Sequence, residues 1–439
     1  MKVKAIKISP PQFLVGLFIL FLAIGTILLK LPIATTEHIS WLDAFFTITS
    51  ATTVTGLTVV DTGTVYTVFG QIVIMIWIQI GGLGIMSFAI LVFVMLGKKI
   101  GFRERILIQQ SLNQTSVGGV IRLVISLFLF AFTIEAIAAA CLATRWVPEF
   151  GLVKGIYFSI FHAVSAFNNA GFGLLPNNLV DYVGDPVINI VITSLFIIGG
   201  IGFTVLTDIW AKSSFKKLSL HSKIMIIGTL VLNVVAMITI FLLEMDNPAT
   251  LGKLAPDEQF WASYFQAVSP RTAGFNTIDL SQIEDSTAFV TMILMFIGAG
   301  SASTGGGIKL TTFIVIIFTV YTFLKGKKNI VMGGRTIDQT VVLKALAIST
   351  VSLLFVVAAI FILTITEDAS LTEIMYEVLS AFGTVGLTMG LTYHLSVVGK
   401  LVLIFIMFLG KIGPLTLLFS LAKKDTNAIR YPTEDVLTG

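Results

Sequence analysis

One polar motif, repeated four times in an otherwise apolar chain, constrains this sequence most. The stretch Phe46–Thr58 reads FTITSATTVTGLT and lies between two long apolar segments. Its threonines make it too polar to cross lipid alone, and it closes on Val54-Thr55-Gly56-Leu57. The arrangement returns as Asn169-Ala170-Gly171-Phe172, Thr272-Ala273-Gly274-Phe275 and Thr384-Val385-Gly386-Leu387. Ten residues before each glycine stands an aromatic: Phe46, Phe161, Tyr264 or Tyr376. Six before stands Ser50, Ser165 or Ser380, with Val268 the exception. The glycines are 115, 103 and 112 residues apart, so the chain reads as four copies of one unit. Four polar segments at matching places suggest one central ion pathway.

Composition sets the medium. Of 439 residues 56% are hydrophobic and only 12% charged, with a mean hydropathy of +0.96; a soluble chain carries about 25% charged residues. Apolar runs of about 20 residues, the length that crosses the hydrocarbon core, recur throughout. The expected fold is an all-α polytopic membrane protein of four pseudo-symmetric helix–pore segment–helix units around one central pore. The first unit is 1–105, with spans near 12–31 and 69–96 and a pore segment over 41–58. The second is 106–220, with spans near 121–143 and 187–210 and a pore segment over 154–173. The third, 221–335, has a span near 222–243, a pore segment over 258–276 and a second helix from about Ala288. The fourth, 336–421, has spans near 342–364 and 397–421 around a pore segment over 371–390, and a tail, 422–439, closes the chain. Lys2, Lys4 and Lys7 ahead of Phe13–Leu29 imitate a signal peptide, but that apolar run is long for one and reads as the first span. The single cysteine, Cys141, excludes a disulfide framework or cysteine metal site.

Charge placement predicts orientation. Of the 28 Lys and Arg, 20 fall at the N-terminus, in connections after second helices or in the tail, while most acids fall on the other side. The positive-inside rule then puts both termini in the cytoplasm and makes the pore segments dip from outside. That placement, rather than nucleic-acid binding, accounts for the net charge of +4. The acidic outer face would concentrate cations. With no connection long enough for a sensing domain, regulation is expected from another polypeptide.

A half-helix descending from outside points its partly negative C-terminal end at the membrane centre. Four such ends favour a cation, and the extended stretches after them offer backbone carbonyls in place of its hydration shell. These stretches are Val54-Thr55-Gly56, Asn169-Ala170-Gly171, Thr272-Ala273-Gly274 and Thr384-Val385-Gly386. The plainer reading is that each glycine merely caps a helix. Here the sequence resembles the Trk/Ktr/HKT superfamily of potassium transporters, within it the membrane subunit of bacterial Ktr systems, over essentially the whole chain. The resemblance rests on the four single-glycine segments, on SAFNNAGF (165–172), SPRTAGFN (269–276) and SAFGTVGLTMG (380–390), and on GAGSASTGGGIK. Gly56 in the first copy, where relatives that move sodium carry serine, implies potassium. The physics alone says only a monovalent cation.

A second register follows 24 to 28 residues after each filter glycine: Gly81-Gly82-Leu83-Gly84, Gly199-Gly200-Ile201-Gly202, Gly298-Ala299-Gly300-Ser301 and Gly410-Lys411-Ile412-Gly413. Small residues there let second helices approach the axis. In the third copy Gly298, Gly300, Ser301, Ser303, Thr304, Gly305, Gly306 and Gly307 form a run, closed by Lys309, that cannot hold a regular helix well. A nucleotide-binding glycine loop fails on spacing, because Gly306 follows Gly305 where a lysine belongs. An obstructing loop over 298–309 is expected, and the resemblance implies the same gate. Lys411 would cost roughly 2.5–3.5 kcal/mol at this depth, so it reads as part of the gate; relatives usually carry arginine there. The alternative is a pair with an acid such as Glu135. Arg271 is expected to point behind the filter to an acid or to carbonyl groups. Asn168 and Asn169 read as filter supports or as direct ligands, and His162 as packing.

The resulting expectation is potassium uptake through a carbonyl filter with an intramembrane gate. The resemblance adds a homodimer, a cytosolic nucleotide-binding ring and sodium-stimulated uptake. K⁺, with Na⁺ beside it, is the transported species, and no organic cofactor is implied. An ion-coupled secondary carrier is the rival; such carriers usually show two inverted halves. An intramembrane enzyme lacks a nucleophile–base or metal constellation.

Overall fold

The computed structural model describes residues 10–85, 87–88, 120–212, 214–327, 329–421, 432 and 434. The N-terminal lysines, the basic connection 98–105, the far half of the span expected over 69–96 and nearly all of the tail lie outside the described residues. The described chain is helical, with one two-stranded hairpin pairing Val331–Met332 with Arg335–Thr336.

The expected alternation of long and short helices is present. Four helices contain apolar stretches long enough to cross a bilayer: Gln12–Leu29, Val124–Phe150, Leu220–Glu244 and Gln339–Thr366. Each precedes a short helix: Trp41–Thr53, Leu152–Phe167, Pro256–Val268 or Leu371–Gly383. Three of these have 13 residues, about 20 Å of rise, which is too short to span the roughly 30 Å core. Their outer ends are set by caps. The Ser40 and Ser370 hydroxyls accept from the N–H groups of Asp43 and Glu373, whose carboxylates reach back to the serine N–H. Glu258 accepts from Ala255 N–H behind Pro256.

The second helices depart from expectation. The spacing predicts continuous spans over 187–210 and 397–421, but both break. Pro186–Ile201 and Phe203–Ala211 meet at 93° about Gly202, and Val397–Ile412 gives way to Pro414–Leu421 at Gly413. Val68–Gly82 ends beside Gly84, and Asp285–Ile297 ends at Gly298 and resumes as Leu310–Leu324. Gly84, Gly202, Gly298 and Gly413 all have positive φ (88°, 105°, 59° and 88°), which only glycine adopts without strain. The register therefore does both: Gly81, Gly199 and Gly410 pack against the short-helix carbonyls of Thr52, Phe167 and Phe382 with no room for a β-carbon, while the positive-φ glycines are break points.

Packing is cyclic. Each short helix touches the second helix before it, which for Trp41–Thr53 is Val397–Ile412 from the other end of the chain, and Trp41–Thr53, Leu152–Phe167 and Leu371–Gly383 also touch the second helix that follows them. Three of these four seams carry a polar link. Lys400 pairs with Asp43 at 2.7 Å, Tyr157 donates to Gln71 at 2.9 Å, and Tyr264 to Thr193 at 3.1 Å. The fourth, between Asp285–Ile297 and Leu371–Gly383, is apolar around Met292, Met295 and Tyr376.

Candidate functional site

The four repeated stretches share one backbone path. Two residues before each glycine the chain turns left-handed, at Val54 (φ 53°), Asn169 (58°), Thr272 (71°) and Thr384 (49°). For valine and threonine that region is an outlier costing about 1–3 kcal/mol, held only where the surroundings force it. The next N–H returns to the helix: Thr55 to Ser50 O, Ala170 to Ser165 O and Val385 to Ser380 O at 2.8 Å, and Ala273 to Ser269 O at 2.9 Å. The Ser50 and Ser380 hydroxyls accept from the N–H of Gly56 (3.0 Å) and Gly386 (3.1 Å). Where Val268 lacks a hydroxyl, neighbouring Ser269 donates to Phe275 O instead.

These turns bring Gly56, Gly171, Gly274 and Gly386 into mutual contact. A β-carbon on Gly171 would lie 2.8 Å from Gly274 Cα, and one on Gly274 would lie 3.4 Å from Gly386 Cα. One on Gly386 would lie 2.9 Å from Gly56 Cα, and one on Gly56 3.0 Å from Gly171 Cα, closing the circle. Each would also press on the carbonyl oxygen of Ala170, Ala273, Val385 or Thr55, the residue before the neighbouring glycine. No side chain fits at any of the four. On one side opens a cavity of about 530 Å³ lined by the four glycines, Thr58, Asp61 and Asp279.

Against the left-handed residues lies the loop 298–309. Thr304 donates to Asn169 Oδ1 at 2.6 Å, and the Asn169 amide donates to Thr272 Oγ1 (3.3 Å) and Phe196 O (3.1 Å). Gly305 abuts the Thr272 side chain and Gly306 that of Thr384, leaving no room for a β-carbon on either. Gly300 N–H donates to Gly200 O at 2.8 Å, Phe203 N–H to Ala302 O at 2.9 Å, and Ser303 to Gly300 O at 2.7 Å; Ser301 meets Thr311 at 3.1 Å. Two ammonium groups hold the tip: Lys309 donates to Gly305 O at 2.7 Å and Lys411 to Thr304 O. A cavity of about 170 Å³, lined in part by Gly82, Ser303 and Lys411, lies beyond.

Lys411 therefore does not pair with Glu135, which takes its hydrogen bonds from Gln79 and Asn168. Arg271 reaches the Asn233 amide oxygen (3.2 Å) and Thr229 (3.4 Å) rather than an acid. Asn168 and Asn169 are supports whose side chains bond to other side chains and to helix carbonyls. His162 packs on Trp146, with ring centroids 4.7 Å apart, and its Nε2 accepts from Leu174 N–H. Glu377 escaped notice in the sequence: it is fully buried in the fourth short helix and bonded to Thr388 and Thr392. An acid at membrane depth is the signal that finds it.

Comparison with known proteins places this geometry. Residues 12–429 match the TrkH family of cation transport proteins. The chain belongs to that family. It is a multi-pass membrane transporter and not an enzyme. It is similar to the Ktr system potassium uptake protein B of Bacillus subtilis, with 58% identity over all of this chain and 98% of the relative. It is also similar to the potassium/sodium uptake protein NtpJ of Enterococcus hirae, with 42% identity over 99% of this chain and 98% of the relative. The crystal structure of the potassium transporter TrkH from Vibrio parahaemolyticus shares the fold, with a TM-score of 0.76 and 22% identity over 96% of this chain and 87% of that one.

Proposed function

We propose that this TrkH-family chain is the membrane subunit of a potassium uptake system, moving K⁺ through a filter made by its four glycine segments. The observation that carries the reading is the closed contact circle of Gly56, Gly171, Gly274 and Gly386, with the Thr55, Ala170, Ala273 and Val385 carbonyls packed between neighbours. A circle of backbone oxygens replaces an ion's hydration shell. The four units 1–105, 106–220, 221–335 and 336–421 surround that axis. The cavity with Asp61 and Asp279 is then the outer vestibule, and both termini are cytoplasmic. The loop 298–309, clamped by Lys309 and Lys411, is the barrier beneath the filter. The names of the 58% and 42% identical relatives support potassium as the ion, with sodium beside it.

A homodimer and a cytosolic nucleotide-binding ring complete the reading, the ring docking on the basic connections 98–105, 212–223 and 325–335. Reversing those charges should release the ring in pull-downs while basal flux persists. The primary test is radiotracer uptake by purified protein in liposomes. Potassium uptake that excess sodium displaces only weakly is expected; no cation flux would overturn the assignment.

A further inference from the structure

Besides His162, five ionisable side chains sit at membrane depth around the glycines: Arg271, Lys309, Lys411, Glu135 and Glu377. Among the described residues the ion pairs are Arg145–Asp185, Lys212–Asp208 and Lys400–Asp43, so none of the five is paired with an opposite charge. The three cations have duties already described, whereas the two carboxylates do not. We propose that Glu135 and Glu377 are fixed counter-charges for the cation at the filter, setting its affinity from behind the pore wall without touching it. The proposal rests on the filter reading above.

Their surroundings suit carboxylates. Glu135, 4% exposed, receives Gln79 Nε2 on both oxygens (2.9 and 3.1 Å) and Asn168 Nδ2 on one (3.1 Å). All three bonds come from amide N–H groups, an arrangement that suits an ionised carboxylate. Glu377, fully buried, receives the hydroxyls of Thr388 and Thr392. Gly390 N–H donates to Thr388 Oγ1 at 2.9 Å, which leaves that hydroxyl's own proton available to the carboxylate. Each acid therefore sits in a socket of donors with no cation in it.

Their positions relative to the ion path agree. Asn168 immediately precedes the Asn169-Ala170-Gly171 stretch, and Thr388 stands two residues past Gly386 and lines the vestibule. The glycine circle runs 56, 171, 274, 386 and back to 56, so the second and fourth copies face each other across it. Glu135, bonded to Gln79 and Asn168, lies at the seam of the first and second copies, and Glu377 stands on the short helix of the fourth. Glu377 is not required by the repeat: its place, nine residues before the glycine, is Thr47, His162 or Phe265 in the other copies. A fold that accepts those three does not need an acid there. Glu244 is also buried, but it bonds Asn247, Thr250 and Glu284 N–H at the outer end of its helix, which explains it locally.

A unit charge about 10 Å from an ion, at an effective dielectric of about 20, changes affinity on the order of ten-fold. Being buried, it is poorly screened by salt, unlike Asp61 and Asp279 at the open vestibule. The experiment compares wild type, Glu135→Gln, Glu377→Gln and the double variant in liposomes loaded for rubidium or potassium uptake. Each single change should raise KM about ten-fold with Vmax within about two-fold, and the double about a hundred-fold. The shifts should persist across about a ten-fold range of ionic strength. Glu135→Asp and Glu377→Asp keep the charge and should leave KM within about three-fold of wild type. Wild-type KM in either Gln variant, or a lost Vmax at unchanged KM, makes the acids mere struts and overturns the proposal. If a Gln variant does not purify as a monodisperse protein, its Asp counterpart decides: a ten-fold rise in KM there overturns it too. Absence of uptake by wild type itself would instead strike the filter reading on which this rests.

Discussion

The ends of the four short helices and the ends of the four second helices are built from the same repeat, yet only the first set stayed alike. Each short helix is followed, directly or after a turn of up to three residues, by a left-handed residue, one intervening residue and a positive-φ glycine. The second helices also break at a positive-φ glycine, but the breaks diverge: a 93° corner at Gly202, a proline restart after Gly413 and a loop of some ten residues after Gly298. On the function proposed above, the difference follows from what each level must do. A spherical ion needs oxygens on every side, so four segments are held to one geometry. A barrier needs one obstruction, and the other three copies are free to drift.

The comparison breaks first at the glycines. Serine at Gly274 would meet the Val385 carbonyl and keep a strained positive φ; serine at Gly386 would meet Thr55 O. Either change should cut the preference for potassium over sodium by about a hundred-fold, equivalent to about 2.7 kcal/mol. Growth on limiting potassium and competition uptake read this directly, and unchanged preference in all four serine variants would exclude a shared filter. At the second level the expected sign reverses. Shortening 300–305 removes the bonds from Gly300 to Gly200 and from Thr304 to Asn169, and should raise flux about ten-fold. A deletion with wild-type flux would move the gate elsewhere.

A smaller effect separates the clamp from the loop. Lys411→Ala removes one of two ammonium groups on the loop carbonyls and leaves Lys309 on Gly305 O. Flux should rise about three-fold with selectivity unchanged, because one charge-assisted hydrogen bond is worth about 1.5–3 kcal/mol at most and Lys309 retains part of the hold. Lys411→Arg, which adds donors in a rigid fork, should lower flux. A selectivity change in Lys411→Ala would show that the barrier and the filter are not separate levels.

Much of this was legible in the residues, for physical reasons that also mark where legibility stops. The four glycines announce themselves because no other residue takes that φ in that crowding, and 13-residue polar helices between long apolar ones cannot span. The breaks at Gly202 and Gly413 were hidden because small residues serve close packing and helix breaking equally well in sequence. The partner of Lys411 was hidden for another reason. An acid is the obvious partner for a buried lysine, but a loop free of secondary structure presents carbonyls that satisfy it as well, and Thr304 is 107 residues away in the chain. Partnerships at such separations leave no trace in spacing.

The finest test lies within the set that stayed alike. Ser50, Ser165 and Ser380 hold one register position, six residues before their glycines, and sequence alone treats them as equivalent. The structure does not. The Ser50 and Ser380 hydroxyls accept the buried N–H of Gly56 and Gly386, whereas the Ser165 hydroxyl has no hydrogen-bond partner among the described residues. Gly171 has the smallest φ of the four, 69° against 92° and 93° for Gly56 and Gly386, so its backbone departs from the first and fourth copies at that point. In the third copy Val268 has already lost the hydroxyl and Ser269 compensates through Phe275 O. Alanine at Ser50 or Ser380 should strand an N–H at a cost of about 1–3 kcal/mol, lowering the melting temperature in detergent by roughly 1–4 °C and loosening ion preference slightly. Alanine at Ser165 removes a hydroxyl that bonds nothing and should be neutral in both measurements. Equal losses at all three positions would mean that Ser165 supports its glycine as Ser50 and Ser380 do, and the asymmetry between the copies would fall.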